Sequence, residues 1–335
     1  LSLTGEITMK DNGEEFARAE LQNLIVGESG IGRMSVVNQP EFMTITLEDG
    51  QLDGRPLIEA ILRGQGKRNA NIITGETEAR AGGLNDKPWI IGVSGIRRFV
   101  VPGGKAFTDI TLQATVDKGA VLQFDLAATA PPHLPGRAPG VGNLRASMTP
   151  RASGFYRLAF QSDDAGSLFS TLGLTSDIRG GEIAVVAESA LPLPKGGWLG
   201  RMELSNFSIL QAPVMVQLLS VASLTGILEL ASGSGLQFVS LDSNFTYGNS
   251  ALYLDDLRMV GPSVGLTAEG SVDFGGRRFG VEGNVTPFNL FSEFAGSLPI
   301  IGGVLTGTDG GGVFSAGYRI DGTCEGPEVT VNPFP

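Results

Sequence analysis

The sequence predicts a mainly β protein arranged as a long antiparallel sheet. Three observations predict it. Apolar residues fall on alternate positions in segment after segment, the pattern of strands with one apolar and one polar face. Turn signals such as Asp117-Lys118-Gly119 and Gly248-Asn249 separate those segments. Helical candidates are too few to supply the crossovers that a βαβ sheet needs.

Leu1, Leu3, Ile7 and Met9 alternate with Ser2, Thr4, Glu6 and Lys10, so a strand opens the chain. An abrupt edge of this kind is normally protected, and the expectation is that an N-terminal part, with any anchor, precedes it. Leu57 to Leu62 is a candidate short helix. Ile110, Leu112, Ala114 and Val116 alternate with Thr111, Gln113, Thr115 and Asp117, and Leu122, Phe124 and Leu126 continue the rhythm. The proline-rich run from Pro131 to Gly142 reads as a loop, and a soft division falls near residue 150. It separates a β-rich segment, 1–150, from a second region, 151–335.

Strands return at Tyr156, Leu158 and Phe160, and again at Ile183 and Val185. Between them Asp163, Asp164 and Ser167 precede Leu168, Phe169 and Leu172, which predicts a short helix near 163–173 with an acidic N-terminus. A longer helix is expected over 213–230, with Pro213 at its first position. It carries Val214, Met215, Leu218, Leu219, Val221, Leu224, Ile227 and Leu228. Gln217, Ser220, Ser223, Thr225 and Glu229 interrupt it, so a buried or interfacial amphipathic helix fits better than a membrane span. Val264 to Asp273 and Arg278 to Val285 alternate around a turn at Gly275-Gly276, and helical pieces are expected near 291–305.

Composition excludes several functions. A net charge of −11 argues against nucleic acid, because phosphate binding needs clustered Lys and Arg. One cysteine, Cys324, allows no internal disulfide. One histidine, His133, sits in the proline-rich loop without a companion motif, so neither a hydrolase triad nor a metal cluster can be assembled from sequence. Asp49 to Gly54 resembles a calcium loop but has Gln51 at the third position and Ala60 where the bidentate glutamate belongs, so it reads as turn chemistry. Asp255-Asp256 are neighbours on a strand and are expected on opposite faces. No enzyme, cofactor or metal is expected.

The C-terminal half resembles the AsmA-like family, the group of AsmA, TamB and YhdP. The resemblance runs through Asp163–Gly166, Leu172–Leu174, Ile178–Gly181 and Gly200–Leu204, then Ala212-Pro213 and Ala222–Leu228. It continues at Gly261–Ser263 and Gly265–Gly270, and closes at Leu298–Gly302, Leu305–Gly307, Gly312–Ser315, Tyr318–Ile320 and Val331–Pro333. Thr323–Pro327 departs from it, where a more acidic turn is expected.

The resemblance implies a long curved sheet forming an open apolar groove, placed in the periplasm and anchored N-terminally to the inner membrane. Phospholipid would move along it between membranes, without catalysis. Expected wall residues are Val264, Leu266, Ala268, Val272, Phe274, Phe279, Val281, Val285, Phe314, Ala316 and Tyr318. The helix around Val214–Leu228 would cap the groove or touch a membrane. Two alternatives stand beside it: a closed sandwich with the same alternation, and an envelope spacer that binds other chains by strand addition at its edges.

Overall fold

A computed structural model describes residues 2–10, 15–56, 87–132, 134, 142–210, 235–274, 276, 278–287, 315–323 and 326–332. They form one 17-stranded sheet and one helix. The first strands are β1 (Ser2–Met9), β2 (Phe16–Val26), β3 (Ser29–Asn38) and β4 (Met43–Asp53). Next come β5 (Trp89–Val100), β6 (Ala106–Asp117), β7 (Ala120–Thr129), β8 (Asn143–Pro150) and β9 (Tyr156–Ser162). Helix α1 (Ala165–Thr171) precedes β10 (Ile178–Ser189), β11 (Trp198–Ile209) and β12 (Leu236–Gly248). The sheet ends with β13 (Ala251–Val260), β14 (Val264–Asp273), β15 (Arg278–Pro287), β16 (Ala316–Thr323) and β17 (Gly326–Asn332).

Residue-by-residue registers join each strand to its neighbours in the chain, so among the described residues β1 and β17 are the edges of an open sheet. The pairing is unbroken across residue 150, where β8 meets β9 from Leu144↔Ser162 to Pro150↔Tyr156. Sixteen gaps between seventeen strands span about 75 Å at ~4.8 Å each. A second, facing sheet is absent among the described residues.

The sheet is mixed, which corrects the all-antiparallel expectation: β4 and β5 run parallel, from Met43↔Trp89 to Asp53↔Val100. Two parallel neighbours require a connection that returns along their full length, and 54–88 is long enough to do so. The two rims therefore differ. Turns at 118–119, 151–155 and 249–250 lie on one, the turn rim. The strand ends that flank the longer connections, at Thr129 and Asn143, Ser162 and Ile178, Ile209 and Leu236, and Pro287 and Ala316, lie on the other, the loop rim. The expected helices at Leu57–Leu62, 213–230 and 291–305 fall outside the described residues.

Helix α1 forms where the acidic N-terminus predicted one. Asp164 caps it, accepting hydrogen bonds from the Ser167 amide (3.1 Å) and hydroxyl (2.6 Å). Gly173, at φ +72, ends it, and the Leu174 amide donates back to the Phe169 carbonyl. Its Leu168 is buried on the apolar side of the sheet, in one cluster with Val101, Phe107, Ile183 and Leu204.

The alternation carries a device that simple period-two reading misses. Asn23, Asp109, Asn206 and Asp256 adopt left-handed φ of 52°, 54°, 55° and 54° inside strands. Asn and Asp tolerate this region better than other side chains. Each follows an apolar residue by two and precedes another by one: Leu21/Leu24, Phe107/Ile110, Leu204/Phe207 and Leu254/Leu257. Both apolar members stay on the same face, as Phe107 with Ile110 and Leu204 with Phe207 show by burial. The same bend leaves Asp255 and Asp256 both exposed, contrary to strict alternation, and Asp256 is held by Arg258 at 2.7 Å. Asp49, also at positive φ, lets β4 continue to Asp53, so the segment read as a turn is mostly strand.

Candidate functional site

The apolar face holds cross-strand rows that can be followed through the registers; one ladder runs along its middle, beside a parallel row that includes Ile91, Ala114, Phe124, Met148 and Leu158. From the first edge the ladder passes Leu21↔Met34, Met34↔Leu47, Leu47↔Val93 and Val93↔Leu112. It continues as Leu112↔Leu126, Leu126↔Ala146, Ala146↔Phe160, Phe160↔Val185 and Val185↔Met202. Ser243 faces Met202, and its hydroxyl is satisfied by the Asn244 carbonyl at 2.8 Å. Beyond the bulge at Asp255-Asp256 two lines continue, one from Leu257 and one from Leu254, which faces Phe245 of the neighbouring row. One line is Leu257↔Ala268↔Gly283↔Tyr318↔Val331, and the other is Leu254↔Gly270↔Val281↔Ile320↔Val329.

Most members of this ladder are half-buried rather than sealed. The fully buried side chains lie to either side. On the loop-rim side, Ile96, Val101, Leu168, Phe207 and Leu236 belong to the larger cluster, and Phe207 stacks on Phe238 with centroids 5.2 Å apart. On the turn-rim side, Met148, Ala187, Trp198 and Phe245 form a second cluster. Val185 packs against both.

The expected wall residues distribute along the C-terminal arm of the ladder. Val264, Leu266, Ala268, Val285, Ala316 and Tyr318 are buried and join the larger cluster. Val272, Phe274, Phe279 and Val281 are half-buried, and Val272 pairs with Phe279 next to the turn rim. Phe314 lies outside the described residues, as do Val214, Met215, Leu218, Leu219, Val221, Leu224, Ile227 and Leu228. The stretch from Leu21 to Met202 was not singled out from sequence as wall. Its signal was present, since Leu112, Leu126 and Phe160 sit in the alternating segments, but the register that aligns them across strands is non-local.

Tyr318 and Gly283 show how the wall is closed locally. A Cβ at Gly283 would lie 1.8 Å from the Thr267 carbonyl oxygen. The Tyr318 ring faces that glycine across the pair, and its hydroxyl donates to the same carbonyl at 2.8 Å. An aromatic over a strand glycine restores the missing side-chain packing. Burial pushes the Tyr318 phenol up to about 12.

The opposite face is polar and carries ion pairs: Arg201 with Glu203 at 3.1 Å, and Arg319 with Glu282 at 2.9 Å. Two clefts among the described residues open on this face. One of about 960 Å³ spans β6 to β12 and is lined by Arg145, Glu182, Arg201 and Asp242. Another of about 630 Å³ lies between β13 and β17, lined by Arg258, Glu269, Glu282 and Arg319. Neither is an apolar pocket. Among the described residues no His, Cys, Asp and Glu cluster could hold a metal, and no helix is long and apolar enough to cross a membrane.

No family model, curated protein or solved structure matches the chain. What stands is the architecture: an open, elongated, mainly β sheet whose apolar residues connect from strand to strand across most of its length.

Proposed function

We propose that this protein carries phospholipid along the apolar ladder, without catalysis or cofactor, as a periplasmic protein of the AsmA-like kind anchored to the inner membrane in its full-length form. The observation that carries the reading is the continuity of the ladder from Leu21 to Val331. Exposing acyl chains to water costs about 0.8 kcal/mol per methylene, so a lipid crossing an aqueous gap needs an unbroken apolar contact. A wall mainly of Leu, Val, Ala, Met and Phe supplies it, and the Ser243 and Tyr318 hydroxyls within it are bonded to backbone carbonyls.

Curvature of the sheet into a groove is supported by α1. The helix packs on β10, while the Lys105 ammonium, in the turn between β5 and β6, donates to the Ser170 hydroxyl. In a flat sheet β5 and β10 lie about 24 Å apart. A seven-residue helix is ~10 Å long. A sheet curled around α1 brings both partners within its reach.

Native mass spectrometry of gently purified protein is expected to show bound phospholipid, and a lipid-free spectrum overturns the reading. Val281→Asp is expected to impair lipid binding more than Glu269→Lys on the polar face. Val281 is the better probe than Leu266, because Leu266 is buried and its replacement by Asp also damages packing.

One observation favours a second reading. Ile7 and Met9 are exposed on the free edge strand β1, a surface suited to strand addition by another chain in an envelope spacer. A stoichiometric protein partner recovered without lipid would select it.

A further inference from the structure

Two elements cross the apolar face within a few strands, one on each side of the ladder. On the loop-rim side α1 reaches from β10 to the β5–β6 turn, with its own Leu168, Ser170 and Thr171 buried against the sheet. On the turn-rim side the segment Leu191–Gly197, between β10 and β11, passes β9 and β8 to reach β7. There the Val121 amide donates to the Leu193 carbonyl at 2.9 Å. Leu193 packs against the cluster of Met148, Trp198 and Phe245.

This second crossing is tightly seated. The Ser189 hydroxyl accepts from the Leu191 amide. A Cβ at Gly196 would meet the Ser189 Oγ at 2.4 Å and the Leu191 carbonyl at 2.5 Å, so only glycine fits under that bend.

We propose that α1 and Leu191–Gly197 form a fixed gauge on the ladder, leaving between them a lane over Ala146, Phe160 and Val185 that passes extended acyl chains and excludes bulkier tails. The inference rests on the lipid reading and adds a size limit to it. The helix lies against β10 and β11 towards the loop rim, and Leu193 lies against Met148 and Trp198 towards the turn rim, so Ala146, Phe160 and Val185 form the floor between two covers. The three floor residues are half-buried, whereas Leu168 on the inner side of α1 and Met148 against Leu193 are sealed.

A photoreactive benzoylphenylalanine placed at Val185, in the lane, or at Val281, beyond it, tests the gauge. Full-length chain is incubated with vesicles of dioleoyl phosphatidylethanolamine and phosphatidylglycerol containing either a radiolabelled dioleoyl lipid or one with a pyrene-tipped chain. The dioleoyl lipid is expected to label both positions. The pyrene lipid is expected to label Val281 normally and Val185 at least about tenfold less, the penalty of overpacking between fixed walls. No labelling at either position overturns the lipid reading itself. Labelling at Val281 but never at Val185 overturns the lane, and equal labelling of Val185 by both lipids overturns the gauge. Leu193→Gly, with unchanged circular dichroism, is expected to admit the pyrene lipid to Val185. The two-lipid comparison in the unaltered loop stands whether or not that variant folds.

Discussion

Strands β1–β4 and β8–β11 share one apolar face and differ in what lies over it. In the first group Met43 is the one buried large hydrophobic among the described residues, and Ile7, Met9, Ile25 and Val26 are exposed. In the second, Met148, Leu168, Ala187, Trp198 and Phe207 are sealed by α1, by Leu191–Gly197 and by each other. Alternation makes an apolar face in both. Only a covering element turns that face into a core, so burial here reports the cover and not the strand.

The largest expected effect contrasts the two kinds of site directly. Ile96→Ala removes a fully buried side chain beside the covered stretch and is expected to cost about 2–5 kcal/mol. Met34→Ala on the bare stretch is expected to cost roughly 1 kcal/mol or less. Denaturant unfolding followed by the fluorescence of Trp89 and Trp198, with protease mapping of β1–β4, compares them. Equal costs would break the distinction between covered and bare strands.

Removing the cap of the cover comes next. Asp164→Ala takes both acceptors from Ser167 and is expected to destabilise α1 by about 1–2 kcal/mol. Hydrogen exchange should rise in α1 and in β10 beneath it while β2 and β3 stay unchanged. A rise spread evenly over the sheet would contradict a local cover.

Tyr318 offers a pH-dependent version of the same test, because it covers Gly283 from within the sheet. Burial raises its pKa in the folded protein to about 12, above the ordinary phenol value of 10.0. The native state therefore holds the phenolic proton more tightly, and its contribution is complete below pH 10 and is lost as pH rises toward 12. Stability is expected to fall over that window in the parent and less steeply in Tyr318→Phe, which also loses about 1 kcal/mol with the hydrogen bond to Thr267. Identical slopes in the two proteins would show that Tyr318 is not shielded. The smallest effect belongs to the polar face. Arg319→Ala breaks exposed pairs with Glu282 and Asp321 and is expected to change stability by under about 1 kcal/mol, with lipid binding unchanged.

Much of this was legible in the sequence. The segments around Ile110, Leu122, Tyr156 and Val264 are strands because their alternation is local information, and α1 begins at the acidic cap that marks it. The phase shifts at Asn23, Asp109, Asn206 and Asp256 were written in a recurring pattern, an apolar residue, any residue, Asn or Asp, then an apolar residue, but strict period-two reading passes over it. The parallel step at β4–β5 and the contact of Leu193 with Val121 were not legible. Both depend on where a Gly- and Pro-rich or long connection lands, and residues distant in the chain decide that. The apolar face itself was foreseen only for its C-terminal arm, since a row across strands exists only once the registers are set.

The restriction of pairing to chain neighbours makes this sheet nearly one-dimensional. Adding or removing one hairpin would change its reach by about 10 Å, two strand spacings, and leave every other register intact. A single strand would not be neutral, because it would exchange the two rims for everything that follows. The long connection before β5 makes that exchange once, at a place where the chain has length to spare. The distance such a protein spans is thus a dimension that duplication and deletion can tune in steps of two strands, without redesigning the surface that does the work.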